Sequence, residues 1–131
     1  MSKPTILCVD DERVILQSLR TQLRAAFGDE YCYEVAEEPS EALELIDELT
    51  DEGNNVIIIV SDWLMPGMKG DEFLIQVHQR FPDVVKIMLT GQADDIAIER
   101  AKSEANLHSC LSKPWSESEL IETIKSGLAK L

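Results

Sequence analysis

The stretch Val56-Ile57-Ile58-Ile59-Val60-Ser61-Asp62-Trp63-Leu64-Met65-Pro66-Gly67 sets five β-branched apolar residues in a row, ends them at a carboxylate and closes on Pro-Gly. An unbroken apolar run of this length is the mark of a strand buried on both faces, in the middle of a parallel sheet. Asp62 then stands at the carboxyl end of the strand, where open α/β sheets bind their ligands. It is poorly placed to cap the next helix, which is expected to begin near Gly70.

Outward from this strand, apolar runs alternate with helical patterns. Toward the N-terminus, residues 5–9 form a first strand, followed by Asp10-Asp11-Glu12 and a helix through Val14, Ile15, Leu19, Leu23 and Phe27, with Asp11 as N-cap and Gly28 as stop. Residues 31–36 form a second strand, and Pro39-Ser40-Glu41 opens a second helix with Leu43, Ile46 and Leu49 on its apolar face. Toward the C-terminus, Phe73, Leu74, Val77 and Phe81 mark a third helix, and residues 84–89 a fourth strand closed by Thr90-Gly91. Asp94 is the expected cap of a weaker fourth helix, with Asn106 in the left-handed position after it. Ser109-Cys110-Leu111 is a short fifth strand, and Ser116 and Glu119 have capping-box spacing before a last helix carrying Leu120, Ile121, Ile124 and Leu128. Five strand–helix alternations predict a doubly wound α/β domain with right-handed crossovers, a parallel sheet and helices on both faces.

The chain has 131 residues, 44% of them apolar, which suits one domain spanning residues 1–131 with one core. No apolar run is long enough to span a membrane and no signal-peptide pattern opens the sequence, so a soluble, cytoplasmic protein is the expectation. With 12 basic and 25 acidic residues the net charge is −13, which argues against direct contact with nucleic acid or an anionic membrane. Cys8, Cys32 and Cys110 have no metal-ligand spacing and are expected to be buried, reduced thiols. His78 and His108 have no partner pattern and are expected to be surface or edge residues, and Trp63 is expected to pack.

The polar residues at the strand ends carry the chemistry. Strand 1 ends in Asp10 and Asp11, strand 3 in Asp62 and strand 4 in Thr90, and Lys113 follows strand 5. In a parallel sheet these ends share one edge. A single aspartate there is more often a turn residue, but five such groups, each at the same end of its own strand, form a crevice. Clustered carboxylates repel unless a cation joins them. Oxygen-only ligands suit Mg²⁺, which commonly binds phosphate as well. Thr90 and Lys113 can hold phosphoryl oxygens, leaving Asp62 as a nucleophile that forms an aspartyl phosphate.

Asp10-Asp11, the run from Ser61 to Gly70, Leu89-Thr90-Gly91 and Lys113-Pro114-Trp115 together resemble the receiver domain of two-component response regulators, over nearly the whole chain. The resemblance implies a flavodoxin-like sheet in order 2-1-3-4-5. It also implies phosphotransfer to Asp62 from a sensor histidine kinase or a histidine phosphotransfer domain. It implies direct Mg²⁺ ligation by Asp11, Asp62 and the backbone carbonyl of Leu64, with Asp10 acting through water, and a cis Lys113–Pro114 bond. The face of helix 4, strand 5 and helix 5 would take an output partner or a second copy of the chain. Cys110 departs from the pattern, because an aromatic residue usually stands there; residues 90–95 and helix 4 are then expected to carry the signal. A phosphohydrolase using an aspartyl phosphate would need an acid two residues after Asp62, where Leu64 stands. A flavin carrier would need a hydroxyl-rich loop where Asp10-Asp11-Glu12 stands. A phosphoacceptor switch, rather than a turnover enzyme, is therefore the expectation, with Gln92 and Leu64 beside the path of hydrolytic water.

Overall fold

A computed structural model describes residues 3–91 and 95–131. Five strands, Thr5–Val9 (β1), Cys32–Ala36 (β2), Val56–Asp62 (β3), Val85–Thr90 (β4) and Ser109–Ser112 (β5), form one parallel sheet in the order β2-β1-β3-β4-β5. The helices are Arg13–Phe27 (α1), Pro39–Asp51 (α2), Gly70–Arg80 (α3), Asp95–Glu104 (α4) and Glu117–Leu128 (α5). The doubly wound parallel architecture expected from the alternating elements is observed, in the strand order that the receiver resemblance implies. The expected cap Asp94 and the water-side Gln92 lie outside the described residues.

Side chains alternate across the sheet and feed two cores. Leu7, Val9, Ile59 and Met88 point to the face covered by α2, α3 and α4, where they meet Ile46, Phe73, Leu74 and Ala101. Ile6, Cys8, Ile58, Val60 and Ile87 point to the opposite face and meet Leu16, Leu19 and Leu23 of α1 and Leu120 and Ile124 of α5. Burying a large aliphatic side chain stabilises the fold by roughly 1.5–3 kcal/mol, so β3, which supplies both cores, is the sheet's axis. Ile57 alone in its apolar run is half-buried, where the β1–β3 pairing shifts between Thr5↔Val56 and Ile6↔Ile58.

Helix ends follow local chemistry. Ser116 Oγ accepts the Glu119 N–H at 3.1 Å, and the last helix begins there as the capping pattern requires. Gly28 (φ 62°) and Asn106 (φ 53°) take the left-handed turns after α1 and α4. The expected cap Asp11 is not one: α1 begins after Glu12, and Asp10 Oδ1 accepts the Glu12 N–H at 2.9 Å. Starting the helix later leaves the Asp11 carboxylate at the sheet edge. The expectation of three buried thiols is met in full only at Cys8. Cys8 is buried and Cys110 half-buried, but Cys32 is exposed, because β2 lies at the edge of the sheet. His78 and His108 are half-buried, and the ring of His108 meets Ser126 Oγ at 2.8 Å.

Candidate functional site

The carboxyl ends of β1, β3 and β4 and the turn after β5 bring Asp10, Asp11, Asp62, Thr90 and Lys113 to one edge. Oxygens of Asp10, Asp11 and Asp62 lie within 4.8 Å of one another. Lys113 Nζ donates to Asp10 Oδ2 at 2.8 Å and pairs with Asp62 Oδ1 at 3.0 Å. Its position is fixed by β4: the Lys113 N–H donates to the Thr90 carbonyl at 2.9 Å, and the Lys113–Pro114 bond is cis. Asp11, Asp62, Leu64, Pro66, Gly91 and Lys113 line an open cleft of about 520 Å³.

Burial sets the electrostatics. It pushes the Asp62 carboxyl above the usual carboxylate range; Lys113 pulls it back, and Asp10 and Asp11 push it up again. Burial also disfavours the Lys113 ammonium, but its bonds to Asp10 and Asp62 outweigh this and hold its pKa above the ordinary value. One lysine thus serves a cluster of three carboxylates. An all-oxygen donor set of surplus negative charge fits Mg²⁺. Both oxygens of Asp10 are already engaged, one by the Glu12 N–H and one by Lys113. Asp11 is exposed and Asp62 faces the cleft, so those two carboxylates are the accessible ones. Leu64 is 56% exposed at the rim and brings no acid to the site.

Three features of the surroundings escaped sequence reasoning. Gly70 has no room for a side chain: a Cβ there would stand 2.3 Å from the Asp62 carbonyl oxygen and 2.8 Å from Trp63 Cα. The Gly70 N–H also donates to the Trp63 carbonyl at 2.7 Å, so α3 begins directly on the backbone of the acidic strand end. Trp63 packs as expected, but its Nε1–H also donates to Asp71 Oδ1 at 3.2 Å, and Asp71 is 6% exposed. Arg100 of α4 reaches the other oxygen of Asp71 at 3.4 Å. The sequence signal for Gly70 was its place just inside a helix start, where glycine has no conformational reason to be. Asp71 carried no signal, because acidic residues are ordinary in a first helical turn.

The chain is similar to known proteins over almost all of its length. The model of the response regulator receiver domain matches residues 6–125. A signal receiver domain of an HD domain-containing protein from Pseudomonas fluorescens superposes with a TM-score of 0.85 at 32% identity, covering 97% of this chain and 95% of that one. A CheY-like receiver domain protein from Methanospirillum hungatei gives a TM-score of 0.84 at 30% identity, covering 98% and 96%. Among curated proteins, the hydrogenase transcriptional regulatory protein HoxA of Cupriavidus necator is 32% identical over 95% of this chain and 24% of its own length. The response regulator MprA of a Mycobacterium species is 31% identical over 95% of this chain and half of its own length. The chain thus spans half or less of the curated relatives it matches. No helix among the described residues is long and apolar enough to cross a membrane. Matching motif, sheet order and acidic edge agree: this chain belongs to the response regulator receiver domain family.

Proposed function

We propose that residues 1–131 form one receiver unit in which Asp62 accepts a phosphoryl group from the phosphohistidine of a sensor histidine kinase or a histidine phosphotransfer domain. The observation that carries this reading is the Lys113 ammonium held between Asp10 at 2.8 Å and Asp62 at 3.0 Å, at the mouth of an acidic cleft. An Asp62 oxygen attacks phosphorus. The new O–P bond forms as the P–N bond to the donor imidazole breaks, and the bond pair leaves with the imidazole nitrogen. Lys113 takes one phosphoryl oxygen without leaving the site, and the Thr90 hydroxyl takes another. Asp11, Asp62 and the Leu64 backbone carbonyl would hold Mg²⁺ directly, and Asp10 through water, since both its oxygens are in use. The ion, when bound, offsets charge on the phosphoryl oxygens. Water attack at phosphorus later restores the carboxylate, so self-phosphorylation and autodephosphorylation are the chain's only chemistry. The faces of α4, β5 and α5 border this edge and would present the altered state to an output partner or a second copy. A kinase partner of this kind implies a cytoplasmic setting.

Incubation with acetyl phosphate and Mg²⁺, read by intact mass, tests the assignment. One added phosphoryl group is expected in the wild type and none in Asp62→Ala. Labelling that persists in Asp62→Ala would overturn it.

A further inference from the structure

Helix α4 is lightly anchored. Its buried residues are Ala97 and Ala101, whose side chains remove little apolar surface from water, and Ile96 is 79% exposed. Against this shallow packing stands one polar anchor with a buried end. Asp71 of α3 holds the Trp63 indole on Oδ1 at 3.2 Å and the Arg100 guanidinium on Oδ2 at 3.4 Å. Arg100 has a second acceptor within its own helix, Glu104 at 3.1 Å. At the other end of the bridge, Trp63 directly follows Asp62. Its backbone N–H donates to the Leu89 carbonyl of β4 at 2.9 Å, and its carbonyl accepts the Gly70 N–H at 2.7 Å. Gly70, touching the Asp62 backbone, directly precedes Asp71. A displacement at Asp62 is therefore passed to Asp71 along packed backbone rather than through a mobile loop. Lys69 Nζ, 4.9 Å from the Trp63 ring centroid, closes the outer side of the indole.

We propose that Asp71 is a coupling residue, joining the phosphoacceptor edge to α4 through Trp63 on one oxygen and Arg100 on the other. The proposal rests on Asp62 being the acceptor. When Asp62 is phosphorylated, the Trp63–Asp71 pair shifts, Arg100 loses Asp71 and keeps only Glu104 of its own helix, and α4 is released. This route needs no aromatic ring on β5, where Cys110 has only a thiol to move. A single hydrogen bond to a buried carboxylate is enough to change the opening of a lightly anchored helix about tenfold.

The test uses beryllofluoride with Mg²⁺ as phosphoryl mimic. Fluorine NMR reports its binding, and amide hydrogen exchange across residues 95–106 reports α4. Wild type, Trp63→Phe, Arg100→Gln and Arg100→Lys are each compared at saturation. Trp63→Phe keeps a ring and removes only the indole donor. The wild type should exchange about tenfold faster in α4 when the mimic is bound. In Arg100→Gln, α4 should exchange fast with or without the mimic; in Trp63→Phe, which keeps the Asp71–Arg100 pair, it should stay slow with or without it; Arg100→Lys should recover part of the response. A response of wild-type size in Trp63→Phe or Arg100→Gln would overturn the bridge alone. Absence of bound fluorine resonances in the wild type would overturn the Asp62 reading, and the bridge with it.

Discussion

Replacing Lys86 by Met should stabilise this protein at neutral pH, and by an amount that shrinks as pH rises. Lys86 sits in β4 opposite Ile59 and is 1% exposed. Its Nζ turns back to the carbonyls of Val84 at 2.7 Å and Pro82 at 3.5 Å, and no carboxylate among the described residues makes an ion pair with it. Burial drives its pKa from 10.5 to about 8, with Asp83 offsetting only part of the effect. The folded state thus binds the lysine proton less tightly than the unfolded state, so stability falls as pH drops from above 10.5 through about 8. Relative to a neutral amine, the charge costs about 3 kcal/mol at pH 7 and about 2 kcal/mol at pH 9. Methionine removes that cost and fits a similar volume, but forfeits about 1 kcal/mol of hydrogen bonding to the carbonyls. The variant should gain about 2 kcal/mol at pH 7, and its advantage should narrow by about 1 kcal/mol at pH 9. Cys8 bends both stability curves in the opposite sense above pH 9, because burial raises its thiol to about 12, and it cancels in the comparison. Urea unfolding of both proteins at pH 7, 8 and 9 measures the gap. A gap that does not change with pH, or a variant less stable than wild type at pH 7, would refute the argument. His78 offers a second reading: burial, then Lys86, lowers its pKa, so its imidazole should titrate higher in Lys86→Met by proton NMR.

Gly70→Ala puts a methyl group 2.3 Å from the Asp62 carbonyl oxygen and should cost about 1–3 kcal/mol in thermal or urea unfolding, together with slower labelling by acetyl phosphate. Asp11→Asn should weaken Mg²⁺ binding by more than about tenfold, the cost of even an indirect partner of a metal, while raising the melting temperature of the metal-free protein by relieving the acidic cluster. Calorimetric titration and a thermal melt check the two halves separately. Leu64→Asn, at the exposed rim, should speed loss of the Asp62 phosphoryl group several-fold by giving the attacking water an acceptor, as read by intact mass over time.

Much of this molecule is written in one dimension. Apolar runs and helical spacing are local signals, and they placed every strand and helix of the sheet to within a residue or two. Asp10, Asp11, Asp62, Thr90 and Lys113 could be named as one group because a parallel sheet sends every strand's carboxyl end to the same edge, so position along the chain implies proximity in space. Tertiary structure alone decided the rest. Lys86 interrupts an apolar strand, and only the fold shows its ammonium turned onto two carbonyls rather than out to water. Cys32 lies in the same kind of strand as Cys8, and the difference between exposed and buried is the difference between an edge and an inner strand. Trp63, Asp71 and Arg100 come from the turn after β3, from α3 and from α4, and their separations in sequence say nothing of contact, because side-chain hydrogen bonds between packed segments depend on distance and rotation. Gly70 has the same cause: a missing Cβ matters only where another backbone passes within van der Waals range, and that approach is set by how α3 lies against the end of β3.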